Sequence, residues 1–241
     1  AGGAGSGDSS SIIKGGGEDL SRRMGQVKRG DIEEIKRTIN LEAAQAEKQR
    51  LEIEQFKNLK KRIEQVIEAN PSLINFKKQL LLDITADGLR IQIIDEKNRP
   101  MFSIGKAELQ SYTKEILHEI GKMLNDVPNK ISLSGHTDAT PYPTGEKSYS
   151  NWELSADRAN ASRRELIAGG MDANKVLRVV GLSSAVLFDK EDPFNPFNRR
   201  ISIIVMNEKA EKAITDEGPT TDIGNKDAVT KEKIGDSLIQ P

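Results

Sequence analysis

The feature that most constrains the fold is an Asp87-Gly88 pair set between two apolar runs. Residues 80–85 read LLLDIT and residues 89–94 read LRIQII, so apolar and polar positions partly alternate in both runs. Asp-Gly readily adopts the backbone angles of a tight two-residue turn, and alternation places one face of each run against a core. The sequence therefore predicts a β-hairpin near the start of a globular domain.

Helical and strand patterns alternate after this hairpin. Apolar residues recur at helical spacing from about 106 to 125, and again from a Ser150–Glu153 capping box to about 168. Strand patterns occupy 130–136, 176–181 and 201–206, and the last is almost wholly apolar, as in a strand covered on both faces. The order ββαβαββ predicts an α/β fold, an α+β two-layer sandwich in which helices pack on one face of a mixed sheet.

Composition divides the remainder of the chain into three segments around the domain predicted at 72–207. Residues 1–30 are rich in Gly and Ser, which predicts a flexible linker. Residues 31–71 predict a helical linker region that stops at Asn70-Pro71. Residues 208–241 are polar and rich in Gly, Asp and Lys, so we expect a disordered tail.

The helical segment 31–71 carries one apolar stripe. Phe56, Leu59, Ile63 and Val66 follow one another at alternating spacings of three and four. The helix could set a spacing or pair with a second subunit, or it could pack on its own domain. Two heptads are too few to establish a coiled coil, so both interpretations remain open.

Charge and composition argue against several kinds of site. The net charge is −1 with both signs mixed along the chain, which argues against a nucleic-acid partner. The chain has no cysteine, which excludes disulfides, thiolate zinc sites and thiol catalysis. His118 and His136 are the two histidines and neither has a second histidine at metal-ligand spacing, so we expect no metal and no cofactor.

The segment 135–158 contains the polar groups that indicate function. Asp138 follows a predicted strand, and Arg158 lies about two turns into the next helix. In a strand–loop–helix unit these positions come close together, so both side chains would face one groove. Arg can bind a carboxylate through two parallel hydrogen bonds and Asp can accept from an ammonium group, a combination that suits a zwitterion. An ordinary ion pair between loop and helix remains the alternative.

Three motif blocks in this region resemble the signature of the OmpA-like peptidoglycan-binding domains. They are Gly135-His136-Thr137-Asp138, Asn151-x-x-Leu154-Ser155-x-x-Arg158-Ala159 and Asn198-Arg199-Arg200-Ile201. They occur in the family's order, and the resemblance covers about residues 75–207. Within the family, residues 88–95, 98–102, 131–138 and 145–158 look most like the periplasmic part of the MotB-type flagellar stator proteins.

The resemblance implies a non-catalytic domain that binds the diaminopimelate of the peptidoglycan peptide stem. Asp138 and Arg158 match the residues that grip this ligand, and the neighbouring pocket positions match Thr137, Asn151 and Leu154. Of the two arginines in the third block, we expect one to brace the Asp138 loop and Arg200 to contact the ligand.

The resemblance also implies a location and partners. The full-length protein would be held in the inner membrane by a single N-terminal transmembrane helix absent from this chain, with these residues in the periplasm. It would work as a homodimer with a MotA-type stator subunit. The alternatives are an OmpA-like anchor of another envelope complex, such as an outer-membrane lipoprotein or a secretion system, and a peptidoglycan-active enzyme. For an enzyme, the sequence offers neither a metal triad nor a paired acid and base.

Overall fold

The computed structural model describes residues 29–143, 145 and 148–216. The described helices are α1 (Arg29–Ala69), α2 (Ser111–Leu124), α3 (Asn151–Ala168) and α4 (Glu208–Thr215). The strands are β1 (Leu80–Thr85), β2 (Gly88–Ile94), β3 (Ile131–His136), β4 (Val176–Gly181) and β5 (Arg200–Met206). Most of the predicted linker at 1–30, and the part of the predicted tail after residue 216, lie outside the described residues.

The five strands form one mixed sheet in the order β1-β2-β5-β3-β4. The predicted hairpin is present, because β1 and β2 pair antiparallel around a turn that closes between Thr85 and Gly88. Strand β5 runs antiparallel to both β2 and β3, so β2 and β3 point the same way. The carboxyl ends of β2 and β3 therefore lie at the same edge of the sheet as the amino end of β5.

One face of the sheet supplies the apolar core. Alternate residues of β2, β3 and β5 point to this face, and Ile91, Ile203 and Leu133 are direct neighbours in register across it. Helix α3 packs against β3 and β4, and α2 packs against α3. The structure thus confirms the predicted α/β sandwich, with its mixed sheet and its helices.

Two glycines set how closely α3 approaches the sheet. A Cβ atom at Gly135 would lie 2.0 Å from the Ser155 carbonyl oxygen, and one at Gly181 would lie 2.7 Å from the Ala156 nitrogen. Both contacts are with the backbone of α3, which cannot rotate away. Glycine at these positions therefore allows the helix backbone to rest directly on β3 and β4.

The second half of α1 packs on the domain. Phe56, Leu59, Ile63 and Ile67 are buried in the apolar core, and Val66 is partly buried against it. Residues from Leu51 onward also belong to the same compact unit as the sheet. For this half of the helix, the structure supports packing on its own domain over the alternative of pairing.

Two segments differ from the sequence predictions. Helix α2 begins at Ser111 rather than near 106, because residues 101–110 form a small hairpin closed by a bridge between Phe102 and Leu109. Residues 208–215, predicted as disordered tail, form α4, whose first turn is capped by the Asn207 side chain accepting from Ala210 N. None of the described helices is long and apolar enough to cross a membrane.

Candidate ligand-binding site

Asp138 lies just beyond the carboxyl end of β3 and is 7% exposed. Its Oδ1 accepts from Thr140 N at 3.0 Å, and its Oδ2 accepts from Arg199 Nη1 at 2.6 Å. The ion-pair partner of Asp138 is therefore Arg199. Since each carboxylate oxygen can accept more than one hydrogen bond, Asp138 keeps the capacity to accept from a ligand.

Arg158 reaches the same edge of the sheet from helix α3 and is 6% exposed. Its Nε donates to the Lys106 carbonyl at 3.0 Å, and its guanidinium carbon lies 4.9 Å from the centre of the Phe102 ring. Burial lowers the pKa of Arg158, and the nearby Asp95 and Asp138 charges act in the opposite direction. Arg158 forms no ion pair with Asp138 or with any other described residue, which leaves its terminal nitrogens available to a carboxylate.

A second carboxylate, Asp95, completes the charges at this edge. It follows β2 and is 3% exposed, and its Oδ2 accepts from Arg199 Nε at 2.8 Å. Its Oδ1 accepts from Met101 N at 2.6 Å. Burial raises the pKa of Asp95, whereas burial alone would lower the pKa of Arg199. Hydrogen bonds to Asp95 and Asp138 outweigh that effect and raise the pKa of Arg199.

Sequence reasoning missed Asp95 because the signal for it is topological. Asp95 follows β2 as Asp138 follows β3, while Arg199 directly precedes β5. The strand order places these three positions at one edge of the sheet, although about sixty and one hundred residues separate Arg199 from its two partners. Without the order of the strands, nothing in the local sequence connects them.

The other predicted pocket residues occupy the Asp138 loop and the start of α3. Asn151 Nδ2 donates to the Thr140 carbonyl at 2.8 Å, which joins the helix start to the loop after Asp138. Leu154 is buried one turn further on. Thr137 donates its backbone N–H to Ser183 O at 2.9 Å, and its buried Oγ1 has no partner among the described residues. Thr137 and Asn151 thus flank the Asp138 loop, and Leu154 lies one turn before Arg158 on the same helix.

Arg200, the predicted ligand contact of the third motif block, is held by other partners. Arg200 is the first residue of β5 and lies opposite His136, whereas Arg199 precedes the strand and bonds to Asp95 and Asp138. Arg200 is buried, donates from Nη1 and Nη2 to the carbonyls of Asn198 and Val186, and lies over the Phe188 ring. No hydrogen bond or ion pair among the described residues joins it to Asp138 or Arg158. The arginine that reaches Asp138 is therefore Arg199.

Asn198 organises the loop between β4 and β5. Its buried side chain accepts from the backbone N–H groups of Phe188 and Asp189 and donates to the carbonyls of Asp189 and Asp192. The loop in turn meets the Asp138 segment, where Ala139 N donates to Pro193 O at 2.9 Å. The Asn of the third motif block therefore shapes the loop beside the site, a role that its position in sequence did not indicate.

The arrangement can bind a ligand that carries both charges. Asp138 offers acceptors for an ammonium group and Arg158 offers donors for a carboxylate, in a setting with little solvent that strengthens charge-assisted hydrogen bonds. No cluster of three or more His, Cys, Asp or Glu side chains suited to a metal ion occurs in the part of the chain that the structure describes.

Comparison with known proteins gives the family. Residues 101–199 match the OmpA family. The chain is 44% identical over 235 residues to motility protein B of Escherichia coli strain K12, covering 97% of this chain and 72% of that protein. Motility protein B of Escherichia coli O157:H7 gives the same values.

Among solved structures, a MotB-like protein from Desulfovibrio vulgaris superposes with a TM-score of 0.55 at 17% identity, covering 66% of this chain and 98% of that one. At this identity the likeness shows the fold alone, whereas the match to the Escherichia coli proteins extends over nearly the whole chain. The chain therefore belongs to the motility protein B (MotB) family and contains an OmpA-family region.

Proposed function

We propose that the domain binds peptidoglycan without chemical turnover and thereby anchors a flagellar motor stator to the cell wall. Membership of the MotB family and the OmpA-family region support this function. The observation that carries it is the pairing of Asp138 with Arg199 and not with Arg158. The Asp138 carboxylate and the Arg158 guanidinium thus lie at one edge of the sheet without forming an ion pair with each other.

The proposed ligand is the diaminopimelate of the peptide stem. Its amine and carboxylate on one carbon would be bound by Asp138 and Arg158 respectively, with Thr137, Asn151 and Leu154 around them. Each charge-assisted hydrogen bond contributes roughly 1.5–3 kcal/mol. A few such bonds, less the cost of ordering the ligand, correspond to micromolar to millimolar affinity for one stem.

The proposal includes the setting of the domain. In the full-length protein it would lie in the periplasm, held to the inner membrane by a transmembrane helix preceding this chain. There it would act as a homodimer together with a MotA-type stator subunit, and the bound wall would resist the torque of the motor.

Substitution of the two charged residues tests the site. Arg158→Ala and Asp138→Asn should each weaken co-sedimentation with purified peptidoglycan by about tenfold or more, because each removes a charge-assisted contact. Arg164→Ala is the matched control, since Arg164 lies on the same helix but is exposed. Circular dichroism and urea unfolding would verify that the variants fold. Wild-type sedimentation of both Arg158→Ala and Asp138→Asn would mean that the site lies elsewhere.

The absence of turnover is tested separately. Purified peptidoglycan incubated with the wild-type domain should release no soluble fragments when the supernatant is analysed by mass spectrometry. Release that depends on the protein would contradict a purely anchoring role, whether or not the two variants lose binding.

A further inference from the structure

Asp95 is the most buried charge at the candidate site and lies outside the three motif blocks. Its two oxygens are fixed by Met101 N at 2.6 Å and Arg199 Nε at 2.8 Å. The same Arg199 guanidinium reaches Asp138 Oδ2 through Nη1 at 2.6 Å. One guanidinium is therefore held between two carboxylates, which face different edges of its fork.

This sharing changes what Asp138 can offer to a ligand. If Arg199 paired with Asp138 alone, its positive charge would offset that carboxylate and weaken its attraction for an ammonium group. With Asp95 on the opposite side, the charge of Arg199 is divided and Asp138 retains net negative potential. The two carboxylates and the guanidinium groups of Arg158 and Arg199 together sum to zero, which matches a ligand that is itself a zwitterion.

Asp95 also acts on Arg158. Among the charges that influence Arg158, Asp95 favours its charged form most strongly and Arg199 opposes it. Two guanidinium groups at one buried edge would repel each other without an intervening carboxylate. Asp95 thus offsets one of the two positive charges that the arginines bring, and Asp138 offsets the other.

We propose that Asp95 is a positioning residue of the binding site, which holds Arg199 and offsets its charge so that Asp138 can accept a ligand ammonium group. This inference rests on the proposed function. It assigns no ligand contact to Asp95, whose oxygens accept from Met101 N and Arg199 and which is the most buried of the site's charges.

The first test is Asp95→Asn, which keeps an acceptor for Met101 N and removes the charge. We expect about tenfold weaker binding of free meso-diaminopimelate, measured by NMR titration, and of purified peptidoglycan, measured by sedimentation. Asp87→Asn is the matched control, because Asp87 is exposed and flanks the other end of the same strand. Its binding should equal that of the wild type.

The decisive variant is Asp95→Asn combined with Arg199→Gln. Removing both charges restores the neutral sum, so binding should recover from the tenfold loss of Asp95→Asn to within about twofold of the wild type. A merely structural role for Asp95 predicts the opposite, since the double variant has lost two buried contacts. The affinity of the double variant is compared directly with that of the wild type and of Asp138→Asn. The test therefore does not depend on whether Asp95→Asn alone folds.

The outcomes separate the two proposals. If Asp138→Asn and Arg158→Ala lose binding while Asp95→Asn binds like the wild type, the site stands and the role of Asp95 is overturned. A double variant as weak as Asp138→Asn also overturns it. Wild-type binding by Asp138→Asn and Arg158→Ala would instead refute the proposed function, and the role of Asp95 with it.

Discussion

His136 is a single residue whose surroundings fix its protonation. It ends β3 directly opposite Arg200 and is 5% exposed. Burial, and after it the charge of Arg200, lowers the pKa of His136 to about 4. A backbone hydrogen bond at Val186 acts in the opposite direction. Its Nδ1 has no partner among the described residues. The imidazole is therefore neutral in the folded protein at neutral pH.

This environment predicts an acid-sensitive fold. The pKa of His136 is about 4 in the folded chain and about 6.5 in the unfolded chain, so the unfolded chain binds the proton more tightly. The folded state therefore loses stability as the pH falls below 6.5. The full cost, reached near pH 4, is about 3 kcal/mol. Urea unfolding between pH 7 and pH 4.5 should show a shallower pH dependence for His136→Gln than for the wild type.

His118→Gln is the control for this experiment, because His118 is half-exposed and hydrogen-bonded to Glu165. An NMR titration of wild-type His136 provides the second measurement, with an expected midpoint near pH 4. A midpoint near 6.5, or equal pH slopes for wild type and His136→Gln, would show that burial does not control this residue.

At the scale of residues, the sequence predicted the groups that local pattern can reveal. Asp138, Arg158 and Asn151 lie in one strand–loop–helix unit, so their proximity follows from short-range spacing. Asp95 and Arg199 come from distant segments and meet only through strand order. The arginine expected to brace the Asp138 loop is Arg199, which forms the ion pair with Asp138, and the ligand contact expected of Arg200 stays a prediction.

Strand β3 leads into Asp138 and helix α3 carries Arg158, and the backbones of these two elements are in close contact at Gly135. We predict that Gly135→Ala destabilises the domain by about 3 kcal/mol, because the added Cβ would lie 2.0 Å from Ser155 O, a backbone atom that cannot rotate out of the way. The helix must then move away from the sheet. Affinity for peptidoglycan should fall as well, since Asp138 follows β3 and Arg158 belongs to α3.

Ser134→Ala in the same strand is the control, because residue 134 points to the opposite face from the core. Urea unfolding and sedimentation with peptidoglycan would be measured for both variants. Wild-type stability of Gly135→Ala would contradict the close contact between α3 and β3.

At the scale of elements, patterns with a strong local cause were predicted well. The capping box at the start of α3 is present, with Glu153 accepting from Ser150 N at 2.8 Å. The start of α2 was placed too early because residues 101–110 carry apolar positions that serve a small hairpin. Helix α4 was missed, although Asn207 followed by Glu208 and Glu211 is a helix-start pattern.

At the scale of the whole molecule, the sequence left open whether α1 belongs to the domain. An apolar stripe looks the same whether it packs on its own chain or on a second copy, so spacing could not decide. Burial of Phe56, Leu59, Ile63 and Ile67 decides it for residues 51–69. The globular unit therefore begins within the helix, some twenty residues before the boundary predicted at 72.

The strength of anchoring is also a property of the whole molecule. A single site that binds one zwitterion is weak, whereas peptidoglycan repeats the same stem many times. Two linked copies would convert the second binding event into an intramolecular one. We therefore predict that a covalent dimer binds purified peptidoglycan about a hundredfold more tightly than the monomer, with unchanged affinity per site for free meso-diaminopimelate.

The chain allows a clean version of this experiment, because it has no cysteine and a Ser6→Cys substitution in the Gly/Ser-rich segment gives a single attachment point. The oxidised dimer would be compared with the same protein in reducing buffer, which isolates the effect of linkage. A dimer that also carries Arg158→Ala should lose the gain, since avidity requires working sites. Equal sedimentation of dimer and monomer would mean that one domain already supplies the full attachment, and that repetition of the stem contributes nothing to holding the stator.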